Sequence, residues 1–259
     1  MTLRNLTSPA LAASVLLLTG ALAEAAQTGS TPAAKAGAEK RAVLGNTVLL
    51  LETTDTALDV ALSTAGQPFD NIVTDAWTGI DFSPYDIVFI GMDGGGVDQA
   101  DVAAVRSNVI DAGKRVCWFG GTALPEFAAG VEASLLDIDP NFSWQVSSAP
   151  HFTLTTPTHP MATSLPASMT FSNSNAAFYM LRPTDASIEV VGENGDGFDN
   201  LFFKGSGFPG GGTGELVWLT NSPFAQYWSI PTDMAFLNQV VDNCLQPVVP
   251  VELQGVTVE

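Results

Sequence analysis

Positive charge is what this chain lacks most: only 9 of its 259 residues are Lys or Arg, against 27 Asp or Glu, for a net charge of −18. A surface of that sign repels nucleic-acid phosphates and anionic headgroups, which argues against nucleic acid and polybasic membrane attachment. Histidine and cysteine are scarcer still, with two of each. His151 and His159 are too far apart for one helical turn and have no Cys or second His beside them, so they make a weak zinc site. Beyond the first 26 residues no apolar run is long enough to cross about 30 Å of hydrocarbon. What is present is an apolar body, 46% hydrophobic with 15 Phe and 5 Trp and only 14% charged. Such a composition excludes disorder and demands a sizeable core.

The ends differ from the body. Residues 1–26 carry Arg4, an apolar run from Leu11 to Leu22, and small residues at Ala23, Ala25 and Ala26, the pattern of a secretory signal peptide. Residues 27–41 are small and polar without hydrophobic period and read as a flexible leader. Past them the only basic residues are Arg106, Lys114, Arg115, Arg182 and Lys204, so the body is more acidic than the whole chain. After Cys244, residues 247–259 form a tail in which Pro247 and Pro250 precede a Val-rich stretch. This tail is similar to the PVEL strand near the C-termini of many exported bacterial proteins; an edge strand closing the domain is an equal reading.

Between these ends, residues 42–246 read as one domain. An apolar run at Thr47–Leu51 precedes Thr54 and Asp55 as N-cap candidates, then Leu58, Ala61, Leu62 and Ala65 at helical spacing, stopped by Gly66. The unit repeats: Tyr85–Ile90 leads through glycines to a helix capped by Asp98, with Val102, Val105, Val109 and Ala112 inward and Gly113 as terminator, and Val116–Phe119 follows. Residues 69–77 supply a further strand. Apolar strands alternating with amphipathic helices predict a doubly wound, mainly parallel sheet, a flavodoxin-like α/β fold. Short β-like runs at 151–156, 168–172, 187–192 and 200–204 predict antiparallel additions in the second half. The core resumes at Leu216–Leu219, and a helix from Pro231 places Met234, Leu237, Val240, Val241, Cys244 and Leu245 on one face.

The stretches VLLLETTD and SPYDIVFIGMDGGGVDQADVAAVRSNVIDAGKRVCWFGGT, followed by HPMATSLP at 159–166, resemble the class I glutamine amidotransferase-like superfamily in its non-catalytic, exported, trehalose-utilisation-like form. In catalytic members of that group the fourth strand enters a strained turn bearing a Cys nucleophile, and a His-Pro-Glu motif follows a late strand. Here the turn reads Gly120, Gly121, Thr122, and the late strand runs into Asn221, Ser222, Pro223. Both histidines come earlier in the chain. The resemblance therefore implies the scaffold without covalent amide transfer.

In open parallel sheets ligands bind beyond the carboxyl ends of the strands. That edge would gather Glu52 and Asp55, then Asp93 with Gly94, Gly95 and Gly96, then Gly121 and Thr122, with His159 as a further ligand candidate. Tight turns and helix caps are the competing reading and the favoured one. A hard cation suits such carboxylates, so Ca²⁺ is the one cofactor considered, at Asp93, Asp196 and Asp199; an Asx-rich turn is the preferred reading of the loop 194–200. Phe208, Trp218, Phe224, Tyr227 and Trp228 would stack on sugars or, by default, pack the core.

Two functions are expected to compete. One is a catalytically inactive binding or accessory domain, exported to the periplasm or beyond, taking a glycan or another exported protein. The other is an extracellular hydrolase, glycan-directed, using Asp93 with Glu126 or Asp55 as acid and base. The sequence also brings Cys117 and Cys244 onto elements that pack together. A Cys117–Cys244 disulfide is open, with two separate buried thiols the slightly favoured alternative.

Overall fold

The first strand, β1 (Val48–Glu52), is buried at every position, as a strand covered on both faces must be. The computed structural model describes residues 46–93, 97–121, 143–145, 151–172, 178–180, 186–195, 197, 199–208 and 210–246. β1 pairs in parallel with β2 (Asp70–Val73) on one side and β3 (Ile87–Asp93) on the other. β4 (Arg115–Gly121) adds in parallel to β3. Its other neighbour is β11 (Glu215–Leu219), which arrives from near the end of the body and is again parallel. The order β2-β1-β3-β4-β11 is the flavodoxin-like winding, with its switch point between β1 and β3.

From β11 outward the ladder turns antiparallel, through β10 (Asp199–Lys204), β9 (Ile188–Asn194), β6 (His151–Leu154) and β7 (Ser168–Thr170), completing a nine-stranded sheet. β5 (Ser143–Gln145) and β8 (Phe178–Met180) form a separate two-stranded pair that the sequence pattern does not reveal. The mixed α/β architecture expected from the sequence is the one observed.

Each face of the sheet has its own core. On one, α1 (Leu58–Ala65) and α3 (Pro231–Leu245) cover Leu50, Phe89, Cys117, Phe119 and Val217. On the other, α2 (Gln99–Val105) covers Leu51, Ile90, Trp118 and Trp218, whose indoles stack at 5.0 Å between centroids. Asp98 caps α2 as expected: its carboxylate accepts from the backbone N–H groups of Ala100 and Asp101, and Asp101 returns the bond.

Two local expectations need correcting. Neither Thr54 nor Asp55 caps α1; the Thr56 hydroxyl accepts from the Leu58 N–H at 3.2 Å, while Asp55 is exposed. Ala112 is exposed, and Ile110 is buried beside Val109. The cause is a π-turn over Arg106–Ile110: its wider winding retards the helix face, so a periodicity of 3.6 counted from Val102 overshoots.

Candidate functional site

The carboxyl edge of the parallel strands is where this fold places ligands, and its central feature here is Glu52, the last residue of β1. Its side chain is buried, and its carboxylate accepts hydrogen bonds from the Thr56 hydroxyl and from Asn71 Nδ2. Burial pushes its pKa up, and the two hydrogen bonds only partly oppose that. Thr56 holds a second position: a Cβ on Gly91 of β3 would lie 2.9 Å from the Thr56 methyl, so the threonine fills the β1/β3 switch-point crevice. The loop after β1 is also tied to the loop after β11. Ala57 donates its N–H to the Pro223 carbonyl at 2.9 Å, and Thr56 forms a bridge with Phe224.

At the end of β4 the backbone leaves no room for a side chain. Gly120 has φ +87°, and a Cβ there would stand 2.1 Å from the Met92 carbonyl oxygen and 2.7 Å from Pro223 Cδ. Its own carbonyl accepts from Trp218 Nε1 at 2.7 Å. A residue bearing a nucleophile therefore cannot occupy position 120 without moving β3 or the Pro223 loop.

Farther along the edge, where β10 and β11 meet, Asn200, Thr220, Asn221 and Ser222 are all fully buried. Asn200 Nδ2 donates to Thr220 Oγ1 at 3.0 Å and to Asn221 Oδ1 at 2.8 Å. Asn200 Oδ1 and Asn221 Nδ2 find no partner among the described residues, nor do Thr53 Oγ1 and Trp118 Nε1. Such unused groups are costly in a dry interior, which makes Asn200 and Asn221, one with an acceptor and one with an amide donor to spare, the least satisfied polar pair of this edge. The β9–β10 ladder slips beside Leu201, which sets Asn200 apart from regular pairing. Sequence reasoning missed this pair; the polar run Thr220, Asn221, Ser222 directly after an apolar strand was its only signal.

The residues proposed from sequence separate. Glu52 lies at the edge, with its carboxylate engaged by its own neighbours. Asp55 is exposed. Asp93 ends β3 and Gly121 ends β4, paired with each other across the ladder. Gly94, Gly95, Gly96, Thr122, Glu126 and Asp196 lie outside the described residues, as do the side chains of Asp93 and Asp199. Among the described residues no three His, Cys, Asp or Glu side chains gather into a metal set.

His159 is not at this edge, which corrects its grouping with Glu52. β6 runs antiparallel to β9 and carries the chain away from the carboxyl ends, so His159 lands on the α3 face, tilted over Phe203 at 5.1 Å. There its Nδ1 caps a 3₁₀ turn at Pro160–Ala162, accepting from the Met161 N–H at 3.1 Å, and Nε2 stands 3.6 Å from Glu189. Burial holds its pKa below the usual histidine value, against the pull of Glu189.

Neither a family model nor a curated protein matches the chain. Solved structures do. A cytoplasmic protein of Salmonella typhimurium, STM3548, is 13% identical, with a TM-score of 0.57 over 77% of this chain and 97% of its own. A ThuA-like protein from Bacteroides uniformis is 14% identical, with a TM-score of 0.52 over 83% and 94%. Agd3, a carbohydrate deacetylase, is 14% identical, with a TM-score of 0.53 over 77% of this chain and 32% of its own. At these identities the likeness concerns the fold alone: the chain has the flavodoxin-like α/β architecture that the ThuA-like protein also has.

Proposed function

We propose that this chain is an exported, catalytically inactive amidotransferase-like domain that acts as a binding or accessory module. The observation that carries this reading is Gly120: at the first residue of the turn that bears the nucleophile in the superfamily's catalytic members, the backbone excludes any side chain. The signal-like segment at residues 1–26 supports export, and the strong negative charge argues for a neutral or basic partner. Among the described residues, no helix is long and apolar enough to cross a membrane. The paired donor and acceptor of Asn221 and Asn200 suit a hydroxyl-bearing ligand. Agd3, a carbohydrate deacetylase, contains this fold, so a glycan is the ligand class to test first, with another exported protein second.

The test has two arms. Ammonia release from glutamine and a broad screen for glycoside and ester hydrolysis are expected to give no turnover above buffer. A glycan array is expected to show binding that falls at least about tenfold in Asn221→Ala, about 1.4 kcal/mol. Turnover that is abolished by Asp93→Asn in a folded protein would overturn the reading in favour of a hydrolase.

A further inference from the structure

The two cysteines of the chain lie on different elements of the same core and meet there. Cys117 is at the middle of β4, opposite Phe89 of β3 and Val217 of β11, and Cys244 is in the last turn of α3. Both are free thiols, fully buried. Their side chains belong to one buried cluster, near enough for Cys244 to help hold the Cys117 thiol up.

Arg115 fixes this meeting from the side. It stands two residues before Cys117, so its side chain leaves the same face of β4. Its Nη1 reaches the Cys244 carbonyl at 2.5 Å and the Gln246 carbonyl at 2.6 Å, while Nε and Nη2 hold Glu215 Oε2 at 2.7 and 2.6 Å. From the preceding residue of the helix, Asn243 Nδ2 donates to the carbonyls of Met161 and Thr163. The backbone around Cys244 is thus held on both sides, and β4 is a central strand. Chance contact between two mobile thiols does not describe this arrangement.

We propose that Cys117 and Cys244 are an internal dithiol site that closes to a disulfide when the chain meets a disulfide oxidant. One thiolate attacks the oxidant's disulfide, giving a mixed disulfide and releasing one thiol. The second cysteine then attacks the protein sulfur of that mixed disulfide and releases the other thiol. The protein loses two protons and two electrons, and the oxidant gains both as a pair of thiols. Closing requires the sulfurs to approach to about 2.05 Å, with the Cα atoms at the usual disulfide spacing. Burial pushes the Cys117 thiol far up, so exchange belongs to the folding chain or to local opening of the end of α3 rather than to the closed domain. Once formed, the bond is shielded from reductant by the same burial. It would tie the central strand to the last helix across a loop of more than 100 residues, which stabilises chiefly by restricting the unfolded chain.

The experiment uses the full chain, refolded from the reduced, denatured state in a mixture of oxidised and reduced glutathione. The product is denatured without reductant, alkylated with iodoacetamide and weighed intact. The expected product is two hydrogens lighter than the reduced chain, carries no alkyl group, and yields a peptide joining Cys117 to Cys244. Its melting temperature should exceed by about 5–15 °C that of chain reduced while denatured and refolded without oxidant. Two alkyl groups per chain, a glutathione adduct on one cysteine with the other alkylated, or a melting temperature no higher than that of the reduced, refolded chain would each overturn the proposal. None of these outcomes depends on whether the domain binds or hydrolyses anything.

Discussion

The parallel half of the sheet and its antiparallel wing are built by different rules. β1 is buried at all five positions, whereas β6 alternates and β7 exposes two of its three residues. The inner parallel strands β1, β3, β4 and β11 are covered by helices on both faces, so their stability is spread over many side chains. In the outer pair of the wing, β6 and β7, it is concentrated. Phe152 is its one fully buried large side chain on β6, standing on Gly192 of β9 and touching Phe236 of α3 at 4.8 Å. Distributed burial tolerates single changes, and an anchor of this kind does not.

Phe152→Ala is the strongest way to break the wing. The expected loss is about 3–5 kcal/mol. Amide exchange should quicken in β6 and β7 while β1, β3 and β4 stay protected; uniform loss of protection would show the two regions to be one cooperative unit.

Gly120→Ala attacks the parallel half at its tightest point, since the new methyl meets the Met92 carbonyl. About 3 kcal/mol should be lost in denaturant titration. Gly197→Ala, at the tip of the wing's hairpin, shares a positive φ but has nothing within 4 Å, so it should cost about 1 kcal/mol or less. Equal costs would mean that backbone strain alone, without the close approach, explains Gly120.

The two buried titrating groups sharpen the comparison with opposite signs. Glu52 in the parallel half has a raised pKa, so the native state holds its proton more tightly and stability declines as pH rises from about 4.5 through the folded value. Glu52→Gln keeps a hydrogen-bonding side chain without the charge; it should remove that decline and change stability at pH 7 by about 1 kcal/mol or less, in the variant's favour. His159 in the wing has a lowered pKa, so stability is lost as pH falls from about 6.5 through the folded value. His159→Asn, which retains an acceptor for the Met161 N–H, should flatten that limb. Melting curves between pH 4 and 8 check both, and parallel slopes for wild type and variant would contradict either assignment.

The same contrast explains what was legible in the sequence. Continuous apolar runs and Gly66, Asp98 and Gly113 announce the parallel half because strand, cap and stop are local properties. The carboxyl-edge location of Glu52 followed from that winding. The occlusion of the edge by Thr56, the clash at Gly120 and the amide pair of Asn200 and Asn221 did not. Each depends on residues far apart in sequence, such as Ala57 meeting Pro223 and Asn200 meeting Thr220. Beside Pro160, His159 reads as a loop residue satisfied by backbone, which it is; only the descent of β6 decides which face receives it.

The seat of β11 between β4 and β10 governs the order in which the molecule can be assembled. A strand made almost last in the body occupies an interior position, so neither edge flanking it is satisfied until residue 219 has been delivered. Long-range pairing of this kind carries its loop-closure cost before any reward, which makes folding slow and leaves the open side of β4 exposed meanwhile. Removing β11 alone would therefore part the parallel half from the antiparallel wing, since it is the strand that joins β4 to β10.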